Sequence, residues 1–238
     1  ERLVLEQFPQ IHRVKCIRNT DQNGTIRPGY LTLVVIPKTL GHQLDNRYQP
    51  KANQSDLLEI QNYVRAKASP HTKIEITNPL YETLQIDCEV GFIDQLRVGQ
   101  YKKQLNKDLK KLLSPWAYDD QNSITFSDVI YRSQILLYIE NRPYIDYVSQ
   151  LKITHIGKQV TSRGISHMQI VANPTDENDF RIAGSYIVTD RPIIQVQSER
   201  SIFVTATEHT IREHSISIPP VVLDGINYWI LEEDFSVF

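Results

Sequence analysis

The stretch of residues 84–92 constrains the fold more than any other part of the chain. Apolar or small side chains at its even positions, from Leu84 to Phe92, alternate with polar residues and a glycine at the odd positions. Successive side chains of a strand point to opposite faces of its sheet. The pattern therefore predicts a strand with one buried face and one wet face, on which Asp87 and Glu89 look outward.

Hydrophobic patterns around that strand predict further strands and helices. Residues 30–36 form a near-continuous run of leucine and β-branched residues, which is typical of a central strand covered on both faces. Leu57, Ile60 and Val64 lie at helical spacing and predict a helix after the next loop. The predicted elements of this region are strands at 30–36, 73–76, 84–92 and 144–153, with helices at 55–68, at 94–113 and from 125 up to Pro143.

The order of these elements is β-α-β-β-α-α-β, which is the split β-α-β pattern of ferredoxin-like domains. The second helix of that pattern is broken in two at Ser114-Pro115-Trp116. We therefore predict an α+β domain in which helices pack on one face of a four-stranded antiparallel sheet.

The chain divides by sequence texture into three parts. Residues 1–28 predict a helix end and a hairpin strand, and residues 29–153 hold the ferredoxin-like domain. Residues 154–238 contain short β-like runs between glycines and prolines, which predict a smaller β-rich module or arm. Within that part, residues 201–207 and 211–218 predict a hairpin.

The composition indicates a folded protein and argues against some classes of partner. Of the 238 residues, 40% are hydrophobic and 23% are charged, which allows a substantial core. The net charge of −2 gives no general attraction to nucleic acid or to an anionic membrane. No apolar run approaches the roughly 18–20 residues of a membrane span. The two cysteines, Cys16 and Cys88, favour a reducing compartment, and Glu1 at the first position favours a piece of a longer polypeptide.

Residue types that carry chemistry give weak signals. His209 and His214 are five positions apart, so on a strand they would face opposite ways and could not share a metal ion easily. We expect His209 to occupy a turn or to hydrogen-bond the backbone. The acidic pairs Asp119-Asp120 and Asp87/Glu89 fit a solvated edge or a salt-bridged subunit contact better than acid–base catalysis. With no phosphate-binding loop or nucleophile motif in the sequence, we expect no catalytic, metal or cofactor site.

Trp116 has two interpretations. Tryptophan is favoured at the centre of protein contacts, so Trp116 could anchor a partner. It could also plug the bend that Pro115 imposes between two helices, and this second interpretation is favoured because a tryptophan needs a pocket. The lysines of the 94–113 helix form a basic face, interpreted as solvated or salt-bridged to a partner.

Several strings, taken in order, carry a resemblance to a known family. They are Phe8-Pro9-Gln10-Ile11, Val14-Lys15-Cys16-Ile17, Pro28-Gly29-Tyr30, Asn78-Pro79-Leu80-Tyr81-Glu82, Leu113-Ser114-Pro115-Trp116, Ile124-Thr125-Phe126-Ser127-Asp128-Val129-Ile130-Tyr131, Tyr144-Ile145-Asp146-Tyr147-Val148 and the segment 201–211. Together they are similar to the baseplate J-like proteins, the wedge subunits of contractile phage tails and bacterial contractile injection systems. The resemblance covers nearly the whole chain and is weakest over residues 154–195.

The resemblance implies a structural wedge in a ring around a central spike, without catalysis. The implied partners are other wedge subunits, copies of this chain or a paralogue, and sheath-proximal and spike or hub proteins. Assembly would occur in the cytoplasm, before the chain becomes part of a phage-tail-like particle that is membrane-associated or released. No direct membrane insertion and no nucleic-acid partner are expected. The candidate interface or structural residues are Pro79, Tyr81, Pro115, Trp116, Tyr118, Tyr131, Tyr147, His209 and Trp229.

Two other functions stay open at the level of sequence. The main alternative is a ferredoxin-like module that binds a small ligand or nucleic acid in a concave pocket. A hydrolase with an unfamiliar site is the third, and it would draw on Asp119, Asp120 and His209.

Overall fold

The computed structural model describes residues 1–38, 48–118, 124–126, 128–157 and 191–214, together with the backbone of five short strands elsewhere. In chain order the elements are α1 (Arg2–Gln7), β1 (Ile11–Thr20), β2 (Ile26–Pro37), α2 (Gln54–Lys67), β3 (Lys73–Thr77), β4 (Leu80–Phe92), α3 (Val98–Leu113), β5 (Val129–Tyr131), α4 (Arg132–Glu140), β6 (Ile145–Gly157), β7 (Val171–Ala172), β8 (Asp179–Ile182), β9 (Ser185–Thr189), β10 (Ile193–Gln195), β11 (Ser201–Thr205), β12 (Thr210–Glu213), β13 (Val221–Leu223) and β14 (Ile226–Tyr228). Single 3₁₀ turns lie at Gln95–Arg97 and Pro115–Ala117.

The first sheet has the order β1-β2-β3. An antiparallel hairpin joins β1 to β2, and its turn is closed by the Asp21 carboxylate, which accepts hydrogen bonds from the N–H groups of Asn23 and Thr25. Gly24 has φ +80° in this turn, a conformation that glycine adopts without steric cost. β2 and β3 are parallel, as expected for strands linked through a crossover helix, here α2. Buried side chains of β2, α2 and β3 form the core under this sheet.

The second sheet has the order β11-β4-β6-β9-β8-β7, with β12 also paired to β4. Helices α3 and α4 cover one face. The alternation predicted for residues 84–92 is confirmed, because Leu84, Ile86, Cys88 and Val90 are all 0% exposed. They pack against Leu105, Leu109, Ile135 and Ile139 of the two helices. Each sheet therefore has its own main core.

The α+β class is confirmed, but the four predicted strands do not form one antiparallel sheet. β2 and β3 lie parallel in the first sheet, whereas β4 and β6 lie antiparallel in the second. Asn78-Pro79 interrupts the chain between β3 and β4, and a proline has no N–H to continue a ladder. Both edges of β4 are occupied, by β6 on one side and by β11 and β12 on the other, so none remains for β2 or β3.

Two further expectations differ from the structure for the same reason, pairing with distant residues. The helix predicted from residue 125 up to Pro143 begins only at Arg132, as α4, because residues 129–131 form β5, which pairs antiparallel with β10. The hairpin predicted around Glu208 and His209 is absent, because β11 and β12 both pair parallel with β4 rather than with each other. Strand pairing also crosses the predicted boundaries at 28/29 and 153/154, and the three-part division remains a prediction about independent folding.

The described residues contain no helix that is both long and apolar enough to cross a membrane. Both cysteines are free thiols, with Cys88 in the core and Cys16 partly buried. Burial raises the pKa of both thiols, that of Cys88 to about 12.

Candidate structural and interface site

The motif Asn78-Pro79-Leu80-Tyr81 clamps the segment that leads into α2. The Asn78 side chain accepts a hydrogen bond from the Ala52 N–H at 2.8 Å and donates one to the Ala52 carbonyl at 3.1 Å. The Tyr81 hydroxyl donates to the Pro50 carbonyl, and burial raises the Tyr81 pKa above its ordinary value. Pro79 is buried between the two strands it separates. These residues therefore fix how the first sheet is joined to the second.

Trp116 lies at the joint between the two sheets. Pro115 ends α3 and begins a single 3₁₀ turn, which directs Trp116 inward. The indole is 6% exposed and packs in a cluster with Ile36 of β2 and with Ile202 and Val204 of β11. This burial agrees with the packing interpretation of Trp116, since the ring has little surface to offer a partner.

A cavity of about 320 Å³ opens beside this turn. Its walls combine apolar and polar groups and include Leu112, Pro115, Trp116, Asp128, Gln134 and Phe203. The indole Nε1 of Trp116 is buried and makes no hydrogen bond with any described residue. The cavity is therefore lined by both polar and apolar groups, and one of its lining residues, Trp116, has a buried N–H without a partner among the described residues.

A buried chain of hydrogen bonds connects the end of α3 to β4. The Thr205 N–H, at the end of β11, donates to Ser114 Oγ at 2.9 Å. Thr205 Oγ1 lies 3.0 Å from His209 Nε2 and donates to the Ala206 carbonyl. His209 Nδ1 accepts from the Ile86 N–H of β4 at 3.1 Å. This arrangement places the imidazole proton on Nε2 and makes His209 a link between three segments.

The His209 side chain replaces a backbone hydrogen-bond acceptor that is missing opposite Ile86 of β4. β11 pairs with β4 up to Leu84, and β12 resumes pairing at Asp87. The Ile86 N–H falls in the gap, where no backbone carbonyl is available, and the His209 side chain accepts its hydrogen bond instead. The backbone bond predicted for His209 is thus present. Burial, with a smaller contribution from Lys110, lowers the His209 pKa to about 4, so the ring is neutral at pH 7. Both ring nitrogens make hydrogen bonds, to the Ile86 N–H and to Thr205 Oγ1.

The carboxylates on the polar face of β4 contact basic side chains of the same chain. Arg212 of β12 contacts Asp87 at 2.8 Å, and His214 contacts Glu89 at 2.7 Å. Tyr147 lies over Gly91, where an added Cβ would come within 2.4 Å of the ring, and its edge also meets His214. The two carboxylates predicted to face outward do so, but their partners are intramolecular.

The remaining candidate residues lie in different environments. Tyr131 is 44% exposed and stands opposite Ile193, 53% exposed, across the β5–β10 ribbon, so the two form an exposed apolar pair. The Tyr118 hydroxyl lies 2.9 Å from that of Tyr48. Trp229 and the Asp119-Asp120 pair lie outside the described residues. The candidate residues are thus spread over the joint, the wet face and the ribbon rather than gathered in one cleft.

Sequence reasoning missed a buried pair at one end of the second core. Glu82 and His155 are 2% and 3% exposed, and their Oε2 and Nε2 atoms are 2.7 Å apart. The Gln197 N–H also donates to Glu82, and Phe203 meets the imidazole edge-on. A signal was available, since Glu82 occupies an even, inward position of β4. Ser114 and Thr205 carried no comparable signal, because hydroxyl residues are common at both exposed and buried sites.

Both the sequence and the fold of this chain are similar to those of known proteins. The family described as "Baseplate protein PVC11-like" matches residues 2–176. A chain in the cryo-EM structure of the anti-feeding prophage (AFP) baseplate, 6-fold symmetrised, is similar in fold, with a TM-score of 0.54 and 17% identity; the match covers 86% of this chain and 35% of that one. None of the curated proteins compared with the chain matches it. The family match spans well over half of the sequence, and the chain therefore belongs to the PVC11-like family of baseplate proteins.

Proposed function

We propose that this chain is a structural wedge component of the baseplate of a contractile injection system or phage-tail-like particle. The observation that carries the proposal is the family match over residues 2–176. The fold similarity to an anti-feeding prophage baseplate chain supports it. We also propose that the chain is related to the baseplate J-like wedge subunits. The sequence strings that include Leu113-Ser114-Pro115-Trp116 support this relationship.

We propose further that the role is non-catalytic. Among the described residues, the titratable groups considered for chemistry make internal contacts. His209 bonds the β4 backbone, and Asp87 and Glu89 pair with Arg212 and His214. Groups held in this way stabilise strand pairing, which favours a scaffold over an enzyme.

The proposed partners are other baseplate wedge subunits, copies of this chain or a paralogue, and sheath-proximal and spike or hub proteins. Tyr131 and Ile193 offer an exposed apolar pair on a two-stranded ribbon, and tyrosine is enriched among the residues that carry binding energy at interfaces. Assembly would begin in the cytoplasm and end in the particle.

Co-expression of the full protein with the products of neighbouring genes tests the proposal. We expect a stable complex that electron microscopy shows as a ring or wedge at one end of a tube. Replacing Tyr131 and Ile193 with serine should weaken the complex, whereas the same change at the equally apolar, exposed Leu58 and Leu96 should not. A protein that remains monomeric and never co-assembles with those products would contradict the proposal.

A second candidate function, a ligand-binding module, is favoured by the cavity beside Trp116. Its volume of about 320 Å³ is at the lower end of the range for small-molecule sites, roughly 300–1,000 Å³. A ligand that binds only the native state raises the melting temperature. A thermal-shift screen of metabolites and nucleotides, repeated on Gln134→Leu, separates the two functions. A concentration-dependent rise that the substitution removes would favour binding, and an unchanged melting temperature would leave the scaffold role.

A further inference from the structure

Helix α3 carries a row of exposed lysines along its outer side. Lys103, Lys107 and Lys111 follow one another at intervals of four residues, and all three are exposed. Four residues rise by about 6 Å along a helix, so the three ammonium groups span roughly 12 Å on one face. The opposite side of the same helix is anchored in the core by Leu105 and Leu109. The row is therefore held in a fixed direction on a rigid element.

The row has no countercharge in the described part of the chain. Lys103 and Lys107 make no ion pair with any described residue, and Lys111 lies over the Tyr118 ring at 5.8 Å. Asp108 is the single acidic residue of α3, and its two carboxylate oxygens accept hydrogen bonds from Gln104 and from Tyr144. Like charges four residues apart on a helix repel each other. An acidic partner would relieve this repulsion.

Other features of α3 favour a protein partner over nucleic acid. Binding of single-stranded nucleic acid uses exposed aromatic rings on which bases stack. Tyr101 is the single aromatic residue of α3, and its ring is stacked between Phe92 and Tyr144, at 6.0 and 5.3 Å. The net charge of the chain is also negative, at −2. The chemistry that fits the row is a short run of carboxylates.

We propose that the lysine row binds the acidic run Glu232-Glu233-Asp234 of a second copy of this chain. This run is the longest series of consecutive acidic residues in the sequence. Opposite charges on two separate parts of one chain are complementary between copies. Such a contact is heterologous, so it joins copies head to tail and closes into a ring where the rotation allows. This contact requires no other baseplate protein. Experiments on the purified chain can therefore contradict the contact without contradicting the proposed baseplate function.

Sedimentation velocity of the purified full chain at low and high salt tests the contact. We expect self-association at about 0.02 M salt that is lost at about 0.5 M, because screening weakens contacts between exposed charges. The variant K103E/K107E/K111E should self-associate at least about tenfold more weakly. The control R18E/K38E/K51E makes the same change of net charge at exposed positions off the row and should behave like the wild type. The neutral variant K103Q/K107Q/K111Q should be intermediate.

A charge swap identifies the partner segment. The variant E232K/E233K/D234K should self-associate as weakly as the row variant, and an equimolar mixture with K103E/K107E/K111E should restore association with one-to-one stoichiometry. A wild-type chain that is monomeric at low salt would overturn the proposal, as would a row variant that associates as well as its control. A mixture that fails to associate would exclude the acidic run as the partner. Tight binding of duplex DNA through the row, unaffected by the acidic-run variant, would assign the row to nucleic acid instead.

Discussion

The two sheets differ in how far apart in sequence their strands lie. The first sheet is built from consecutive elements, with β1 and β2 joined by a short turn and β2 and β3 joined through α2. The second sheet pairs strands that are far apart in the sequence, since Ser201 of β11 pairs with Leu80 of β4. Bringing distant segments together costs more chain entropy than closing a short turn. The second sheet accordingly depends on side chains that hold its late strands in place.

Those side chains are concentrated where β11 ends. Trp116 fills the space between β2 and β11, while Ser114 and His209 hold the backbone of β11 and β4. The comparable contacts after the first sheet are those of Asn78, which holds Ala52, and of Tyr81, which holds the Pro50 carbonyl. The comparison predicts that substitutions at the distant closure destabilise the protein more than substitutions at the local one.

The largest effect is expected for Trp116→Ala. Removing a buried tryptophan leaves a cavity at the joint and should lower the free energy of unfolding by about 3–5 kcal/mol. Denaturant unfolding measures it. The control is Tyr131→Ala, an exposed aromatic residue whose removal should cost less than about 1 kcal/mol. Equal effects for the two substitutions would show that the joint contributes little.

The second-largest effect is expected for the pH dependence of the free energy of unfolding, through His209. Burial lowers the His209 pKa from 6.5 to about 4, so the unfolded chain binds a proton in a range where the native chain does not. The stability that this residue contributes is full above about pH 6.5 and is lost as the pH falls towards 4, by on the order of 3 kcal/mol.

The variant His209→Gln isolates this contribution, because carboxylates also titrate near pH 4. The difference in unfolding free energy between the wild type and His209→Gln should be largest at pH 7 and should shrink towards pH 4. A difference that is constant with pH would show that His209 is not a neutral, buried link.

A smaller effect is expected at the local closure. Asn78→Ala leaves the N–H and carbonyl of Ala52 without their side-chain partner and should cost about 1–3 kcal/mol in unfolding free energy. Asn53→Ala is the control, since the Asn53 side chain makes no capping hydrogen bond to α2, and it should cost less than about 0.5 kcal/mol. If Asn78→Ala exceeded Trp116→Ala, the ranking of the two closures would be reversed.

The smallest effect is expected for Arg212→Ala on the wet face. Arg212 is 54% exposed and its partner Asp87 27%, so solvent screens the pair and its loss should cost about 0.2–1 kcal/mol. The loss should fade at high salt. A salt-independent cost above that range would show that the contact acts through packing of β12 on β4 rather than through charge.

Sequence reasoning located the elements whose patterns are local. The alternation around Ile86 identified β4 and its buried face, the spacing of Leu57 and Ile60 identified α2, and Pro115 marked the end of α3. Each of these signals arises within about ten residues of chain.

The remaining errors concern partners that no local pattern specifies. Residues 125–137 contain helix-compatible spacing, yet β5 forms there because β10 pairs with it. The segment around Glu208 has the composition of a hairpin, yet β11 and β12 both lie on β4. For the candidate site, the backbone bond of His209 was predicted but its acceptor position was not, because the gap at Ile86 exists only once β11 and β12 have docked.

The parallel docking of β11 and β12 also has a consequence during synthesis. Until residue 213 has left the ribosome, one edge of β4 presents unpaired N–H and carbonyl groups over a ladder that begins at Leu80. Exposed edges of this kind recruit whatever strand is nearest. On a polysome translating several chains, the nearest late strand can belong to the preceding nascent polypeptide, so this edge is where strand exchange between copies would begin.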